Sequence, residues 1–140
     1  MNFENSKMYP GLPEYFDNEG RGLYAYLTGA ASWYMLTMIT EVFGVKGDLG
    51  DLVIAPFLLP EQFDENGNAG LKLEFAGRKF EIIIHNPEKK DLKAEQIRRA
   101  VCDEKVVLEP QPEYGVRLRK SVIEALEPKK CHRIDVIFHE

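Results

Sequence analysis

The sequence predicts a mainly β protein: an antiparallel β-sandwich of jelly-roll type, preceded by a loop and one long apolar helix. Residues 22–40 carry no charge, the apolar run continues to Phe43, and Gly44 is placed to end a helix. After residue 47 the apolar residues change to the alternating spacing of strands. Six or seven short segments of this kind, separated by turn residues, are typical of a sandwich. The change places a loop and helix in residues 1–46 and a β domain in residues 47–140.

The first part of the chain divides into a loop and the helix. Residues 1–20 are rich in Asn, Pro, Gly and acidic residues, and YPGLPEYF is typical of an ordered loop held by aromatic side chains. Thr28 is a good N-cap for a helix that runs to Phe43. Apolar residues lie on more than one face of this helix, and Glu41 is its single charge. Such a helix is typical of a protein interior, so we expect another subunit, or a domain that this chain lacks, to cover it.

Strands account for most of the remaining chain. The segments LKLEF and RKFEIII flank Ala76-Gly77, which predicts a hairpin with Gly77 in the turn. In the last predicted strand, Ile134, Val136 and Phe138 alternate on one side. This last strand covers residues 131–138, and the other predicted strands cover residues 53–59, 96–102, 105–108 and 116–122.

Composition and charge narrow the classes of function. The chain has 140 residues, of which 44% are hydrophobic and 29% charged, as in an ordinary globular domain. A net charge of −5 with scattered Lys and Arg argues against a nucleic-acid partner. Cys102 and Cys131 match no CxxC spacing and follow no secretory signal, so we expect reduced core or edge thiols in a cytoplasmic protein. Residues 22–40 are nearly long enough to span a membrane, but they contain too many Thr, Gly, Tyr and Trp residues, and no membrane partner is expected.

The start of the predicted helix, Thr28-Gly29-Ala30-Ala31, is the candidate binding feature. Its small side chains leave the backbone N–H groups of the first turn uncovered, which suits an anion. The same residues also permit close packing with Thr28 as a simple cap, and spacing alone favours packing. Arg21, between two glycines, could bring a positive charge to an anion, although an arginine in such a loop more often makes structural salt bridges.

Acidic and histidine side chains are the remaining candidates for proton transfer or metal binding. Three carboxylates of the first loop are candidates for proton transfer: Glu14, Asp17 and Glu19. Nothing pairs them with a nucleophile or a base, so solvated loop carboxylates are the better interpretation. The three histidines match no zinc spacing and are interpreted as surface or edge residues: His85, His132 and His139. The residues therefore predict no catalytic side chain, no metal site and no cofactor.

A set of motifs occurs in an order that resembles one enzyme family. The motifs are YPGLPEYF, GRG, YLTG, ASW and EVFGVKGDLGDL, followed by AGLKLEFAGRKFEIIIHNP. They resemble the end of the catalytic domain and the C-terminal β domain of the cellobiose and chitobiose phosphorylases, glycoside hydrolase family ninety-four, formerly glycosyltransferase family thirty-six. The resemblance runs through essentially all of the chain and is densest from Tyr9 to Pro87.

This resemblance implies an activity and a site. The activity is inverting phosphorolysis: phosphate attacks the anomeric carbon of a β-linked glucoside, an aspartic acid protonates the leaving oxygen, and an α-sugar 1-phosphate is released. The resemblance further implies that residues 1–46 end an (α/α)₆ barrel, that Thr28 and Gly29 bind phosphate, and that inorganic phosphate and a β-linked oligosaccharide are the partners. The family typically has serine at Ala30 and often histidine at Ala25, so fewer polar contacts to phosphate are expected here.

The remaining groups of such an enzyme would precede Met1. They include the general acid, the other phosphate ligands and most of the barrel. We therefore expect a C-terminal piece that is inactive alone, with its helix covered by the missing barrel domain or by a homo-oligomer. The alternative is a stand-alone, non-catalytic β-sandwich module for binding or assembly that oligomerises through the helix.

Overall fold

The computed structural model describes residues 15–23, 29–91, 96–111 and 115–138. The chain divides into two units, with the boundary between Met38 and Ile39. In the first unit, β1 (Tyr15–Phe16) pairs antiparallel with β2 (Gly22–Leu23). Helix α1 (Gly29–Thr37) follows in the chain. Within the described ranges, no helix is long and apolar enough to cross a membrane.

The end of the predicted helix differs from a regular α-helix. Met38–Val42 form a π-helix, and Gly44 then adopts a φ of 64°, which confirms its predicted role at the helix end. In the second unit, Ile39, Val42 and Phe43 pack against the core, and the Val42 carbonyl accepts the Phe57 N–H at 2.8 Å. These contacts hold the last turn in place, and they involve partners that the apolar pattern of the helix does not reveal.

The second unit contains two sheets and a short helix. Its elements are β3 (Val45–Asp48), β4 (Asp51–Ile54), β5 (Asn68–Phe75), β6 (Arg78–His85), β7 (Arg99–Cys102), β8 (Val106–Val107), β9 (Glu109–Pro110), β10 (Val116–Leu118), α2 (Lys120–Ala125) and β11 (Cys131–Ile137), with a 3₁₀ turn at Pro60–Gln62. The four-stranded sheet has the order β3-β4-β10-β9, and the five-stranded sheet has the order β5-β6-β11-β7-β8. The mainly β class is therefore confirmed.

Two features depart from the expected antiparallel strands. First, β6 and β11 pair in parallel, whereas the other neighbouring strands are antiparallel. A parallel pair needs a long crossover, and the chain between β6 and β11 supplies it. Second, the strand predicted over residues 116–122 ends at Leu118, and α2 begins at Lys120. The prediction was wrong there because the apolar residues Val122 and Ile123 fit a short amphipathic helix as well as a strand.

The two sheets share one hydrophobic core. Leu52 and Ile54 of β4 and Leu118 of β10 contribute to the same cluster as Ile82 and Ile84 of β6. The predicted inward side of the last strand is confirmed, since Ile134 and Val136 of β11 and the following Phe138 are fully buried. The predicted hairpin is also confirmed, with positive φ at both turn residues, Ala76 and Gly77. Two sheets around one core are consistent with a β-sandwich.

Candidate functional site

The predicted phosphate residues fall at the start of α1. Gly29 is the first residue of the helix and is half-buried, and no acidic residue lies in the first turn. Thr28 lies outside the described residues. The first turn of a helix carries N–H groups without partners in the helix, and the helix dipole favours an anion near them. The start of α1 therefore carries N–H donors of the kind that an anion accepts.

Large apolar side chains of α1 are exposed. Trp33 is 71% exposed, Met35 59% and Tyr34 53%. We call these three residues the α1 apolar patch. Large apolar side chains exposed at consecutive positions of one helix are a candidate interaction surface.

Of the two roles considered for Arg21, an anion contact or structural salt bridges, the structure shows the salt bridges. Its Nε donates to Asp17 Oδ2 at 2.6 Å, and Nη2 lies 3.4 Å from Glu19 Oε2. Asp17 Oδ1 also accepts the N–H groups of Glu19 and Arg21, each at 2.9 Å. The hydrogen bond from the Arg21 N–H, and then that from its side chain, lower the pKa of Asp17. Asp17 and Glu19 thus belong to the β1–β2 turn, while Glu14 lies outside the described residues.

One of the three histidines departs from its predicted surface or edge position. His132 is only 2% exposed, so the prediction of a surface or edge residue was wrong for it. It shares the alternation of Ile134 and Val136 on β11 and therefore faces the core. His85 is half-buried on the opposite side of its sheet, and His139 lies outside the described residues.

A polar cluster around His132 was not predicted. His132 Nδ1 lies 2.8 Å from Asp103 Oδ2, and its Nε2 lies 2.9 Å from the Glu127 carbonyl oxygen. Lys130 Nζ donates to Asp103 Oδ2 at 3.0 Å, and the Arg133 N–H donates to Asp103 Oδ1 at 2.9 Å. Burial alone would raise the pKa of Asp103, but the hydrogen bonds from His132, Arg133 and Lys130 outweigh it and lower the pKa to about 2. The one sequence signal for this cluster is a histidine in the core-facing phase of a strand.

The two thiols occupy the expected kinds of position. Cys102 is buried and Cys131 is exposed, which confirms the predicted core and edge positions, and neither forms a disulfide. Burial, and then the charge of Asp103, raise the pKa of Cys102 to about 11. Among the described residues, no group of three or more His, Cys, Asp or Glu side chains is placed to hold a metal ion.

No protein-family model matches the chain, and a search of curated proteins finds no significant match.

Proposed function

We propose that the chain is the C-terminal segment of an inverting glycoside phosphorylase that acts on β-linked glucosides. It contributes part of the phosphate site and is inactive alone. The observation that carries this proposal is the start of α1 at Gly29, inside the motif YLTGAASWY. In this proposal residues 1–46 are the end of an (α/α)₆ barrel, and residues 47–140 are a jelly-roll-like C-terminal domain.

Phosphate would bind to the backbone at the start of α1. Thr28 and Gly29 would donate to its oxygens, and the absence of acidic residues in the first turn avoids repulsion. The dipole of an exposed helix contributes roughly 0.3–1 kcal/mol, which changes affinity by less than about tenfold. This contribution is too small to hold phosphate by itself. The proposal therefore requires cationic side chains from the preceding barrel segment.

The α1 apolar patch supports the same arrangement. Trp33, Tyr34 and Met35 would be buried against other barrel helices in the complete enzyme. Each large apolar side chain stabilises the assembly by roughly 1.5–3 kcal/mol when fully buried. An apolar patch next to an anion-binding helix start is the combination expected of a helix that ends a barrel and lines its site.

Reconstitution tests the catalytic proposal. The full chain is mixed with a separately purified barrel segment of a β-glucoside phosphorylase, and the release of sugar 1-phosphate from a β-linked disaccharide and phosphate is measured. We expect activity only in the mixture. Thr28→Val and Gly29→Asp should abolish it, whereas Ser32→Ala, a matched change on the exposed side of the same helix, should leave it within about twofold of the wild type. A folded, assembled pair that releases no sugar 1-phosphate contradicts the proposal.

The exposed patch also favours a second candidate function. A stand-alone binding or assembly module would use Trp33 and Met35 to form a homo-oligomer. Light scattering of the wild type and of Trp33→Glu separates the two candidates. An oligomer that Trp33→Glu dissociates, together with inactivity in every mixture, favours the assembly module. A wild-type monomer that gains activity with the barrel segment favours the phosphorylase.

A further inference from the structure

His132 is a buried imidazole with an acceptor opposite each ring nitrogen. Asp103 Oδ2 lies 2.8 Å from Nδ1, and the Glu127 carbonyl oxygen lies 2.9 Å from Nε2. A carbonyl oxygen can only accept a hydrogen bond, and an ionised carboxylate can only accept as well. Asp103 is ionised at neutral pH, because its pKa is about 2. Both contacts are therefore hydrogen bonds only if the ring donates from both nitrogens.

A neutral ring does not fit this pair of acceptors. Neutral imidazole carries one N–H, so in either tautomer one nitrogen lone pair would face an oxygen lone pair. Turning the ring by 180° does not help, since a flip places a carbon where each nitrogen was. At 2% exposure, water cannot readily replace the lost partner, and an unmatched buried polar group is costly.

His85 provides a contrast within the same protein. Its Nε2 lies 2.7 Å from Asp135 Oδ1, and its Nδ1 lies 2.8 Å from Asn68 Oδ1. The oxygen and nitrogen of an asparagine amide can exchange places, so Asn68 can donate to Nδ1 while Nε2–H donates to Asp135. Neutral His85 thus satisfies both contacts, whereas neutral His132 does not.

Several charged and apolar groups surround His132. Asp103 follows Cys102 at the end of β7, and Lys130 precedes β11 and pairs with Asp103 at 3.0 Å. The carboxylate of Glu127, before β11, acts on Lys130 by its charge. From β6 the facing group is the Phe80 ring, whose centroid lies 6.0 Å from that of the imidazole. The Lys130 side chain donates to Asp103, so it neutralises part of the Asp103 charge without replacing the second hydrogen bond of His132.

The two hydrogen bonds of His132 connect two separate segments of the chain. Asp103 and Glu104 form the β7–β8 turn with φ values of 49° and 61°, a conformation that non-glycine residues adopt at a cost. Glu127 lies between α2 and β11, and its carbonyl also accepts the Lys130 N–H at 3.3 Å. His132 therefore ties a strained turn to the segment that joins α2 to β11.

We infer that His132 donates from both ring nitrogens in the folded protein, as an imidazolium, and so ties the β7–β8 turn to residues 126–130. This inference is independent of the proposed phosphorylase function.

Nitrogen NMR of the full chain tests the inference directly. Long-range proton–nitrogen correlation spectra at pH 7 report which ring nitrogens carry protons. We expect both nitrogens of His132 to be protonated and one nitrogen of His85. A His132 ring with a single proton at pH 7, while both contacts persist, overturns the inference.

Two exchanges of acceptor type provide matched variants. Asp103→Asn supplies an amide that can donate to Nδ1, so His132 should become neutral at pH 7 like His85 in the wild type. Asn68→Asp places His85 between two carboxylates, so His85 should become doubly protonated at pH 7. Unchanged proton counts in both folded variants contradict the argument from acceptors. The wild-type spectrum decides the matter if either variant does not fold.

Discussion

Arg117 and Asp51 form an ion pair of 2.9 Å between Nη1 and Oδ2, although 66 positions separate them in the chain. Arg117 Nη2 also donates to Asp48 Oδ2 at 2.6 Å. The other oxygen of Asp51 accepts the N–H of Lys120, the first residue of α2, at 2.7 Å. The side chain of the preceding residue, Arg119, makes no capping hydrogen bond to that helix. Asp51 therefore connects β4 to β10 and caps α2 from a distant strand.

We predict that Asp51→Asn lowers the thermal midpoint of unfolding more than Asp48→Asn, its matched control. The hydrogen bond from the Lys120 N–H, followed by that from Arg117, lowers the pKa of Asp51 below its ordinary value of 3.8. Its contribution is thus present above that value and lost as the pH falls below it. The difference in thermal midpoint between the wild type and Asp51→Asn should therefore become smaller at acidic pH. Equal effects of the two variants at pH 7, measured by calorimetry, would show that the contact with α2 contributes nothing.

Asp103 should dominate the acid sensitivity of the five-stranded sheet. Its pKa of about 2, against an ordinary 3.8, corresponds to roughly 2 kcal/mol of stability. This stability is present above about pH 4 and is lost as the pH falls towards 2. We expect Asp103→Asn to lower the free energy of unfolding by about 2 kcal/mol at pH 7 and by much less near pH 2. Urea unfolding across this range measures the difference, and Glu104→Gln, the neighbouring change, should stay within about 0.5 kcal/mol of wild type.

Gly44 and Gly77 both have positive φ but differ in the space around them. A Cβ on Gly44 would meet the Ala55 carbonyl oxygen at 1.9 Å, whereas a Cβ on Gly77 would meet nothing within 4 Å. We expect Gly77→Ala to cost about 1–2 kcal/mol for its conformation alone. Gly44→Ala should cost roughly 2–4 kcal/mol, because overpacking is added. Denaturant unfolding compares the two variants, and similar losses would indicate that the backbone at Ala55 yields easily.

The two thiols should differ strongly in reactivity. Cys131 is exposed, whereas Cys102 is buried, with its pKa raised to about 11 chiefly by burial. We expect a disulfide reagent to modify one thiol per chain in the native state and the second only after denaturation, because the thiolate is the reactive form. Cys131→Ser should abolish the fast reaction and Cys102→Ala should leave it unchanged. A fast second equivalent in the native protein would contradict the burial of Cys102.

Local patterns of the sequence determined part of this fold. The β5–β6 hairpin, the inward side of β11 and the helix end at Gly44 depend on neighbouring residues, whose alternation or backbone freedom is readable in the sequence. The helix start around Gly29 is likewise a local feature. For the candidate phosphate site, these residues predict a set of exposed N–H donors, but they do not identify the groups that would complete it.

Only the tertiary structure decided the features that depend on distant partners. The parallel pairing of β6 with β11, the change to α2 after Leu118 and the burial of His132 beside Asp103 each require contacts between segments far apart in the chain. Alternation shows which side of a strand is apolar, but it does not say which strand lies next to it. A histidine or an aspartate side chain is also stable in water, so the sequence does not fix its burial. Its role follows from the acceptor or donor that the fold places beside it. His132 and Asp51 acquire their roles in this way, through partners that no local pattern specifies.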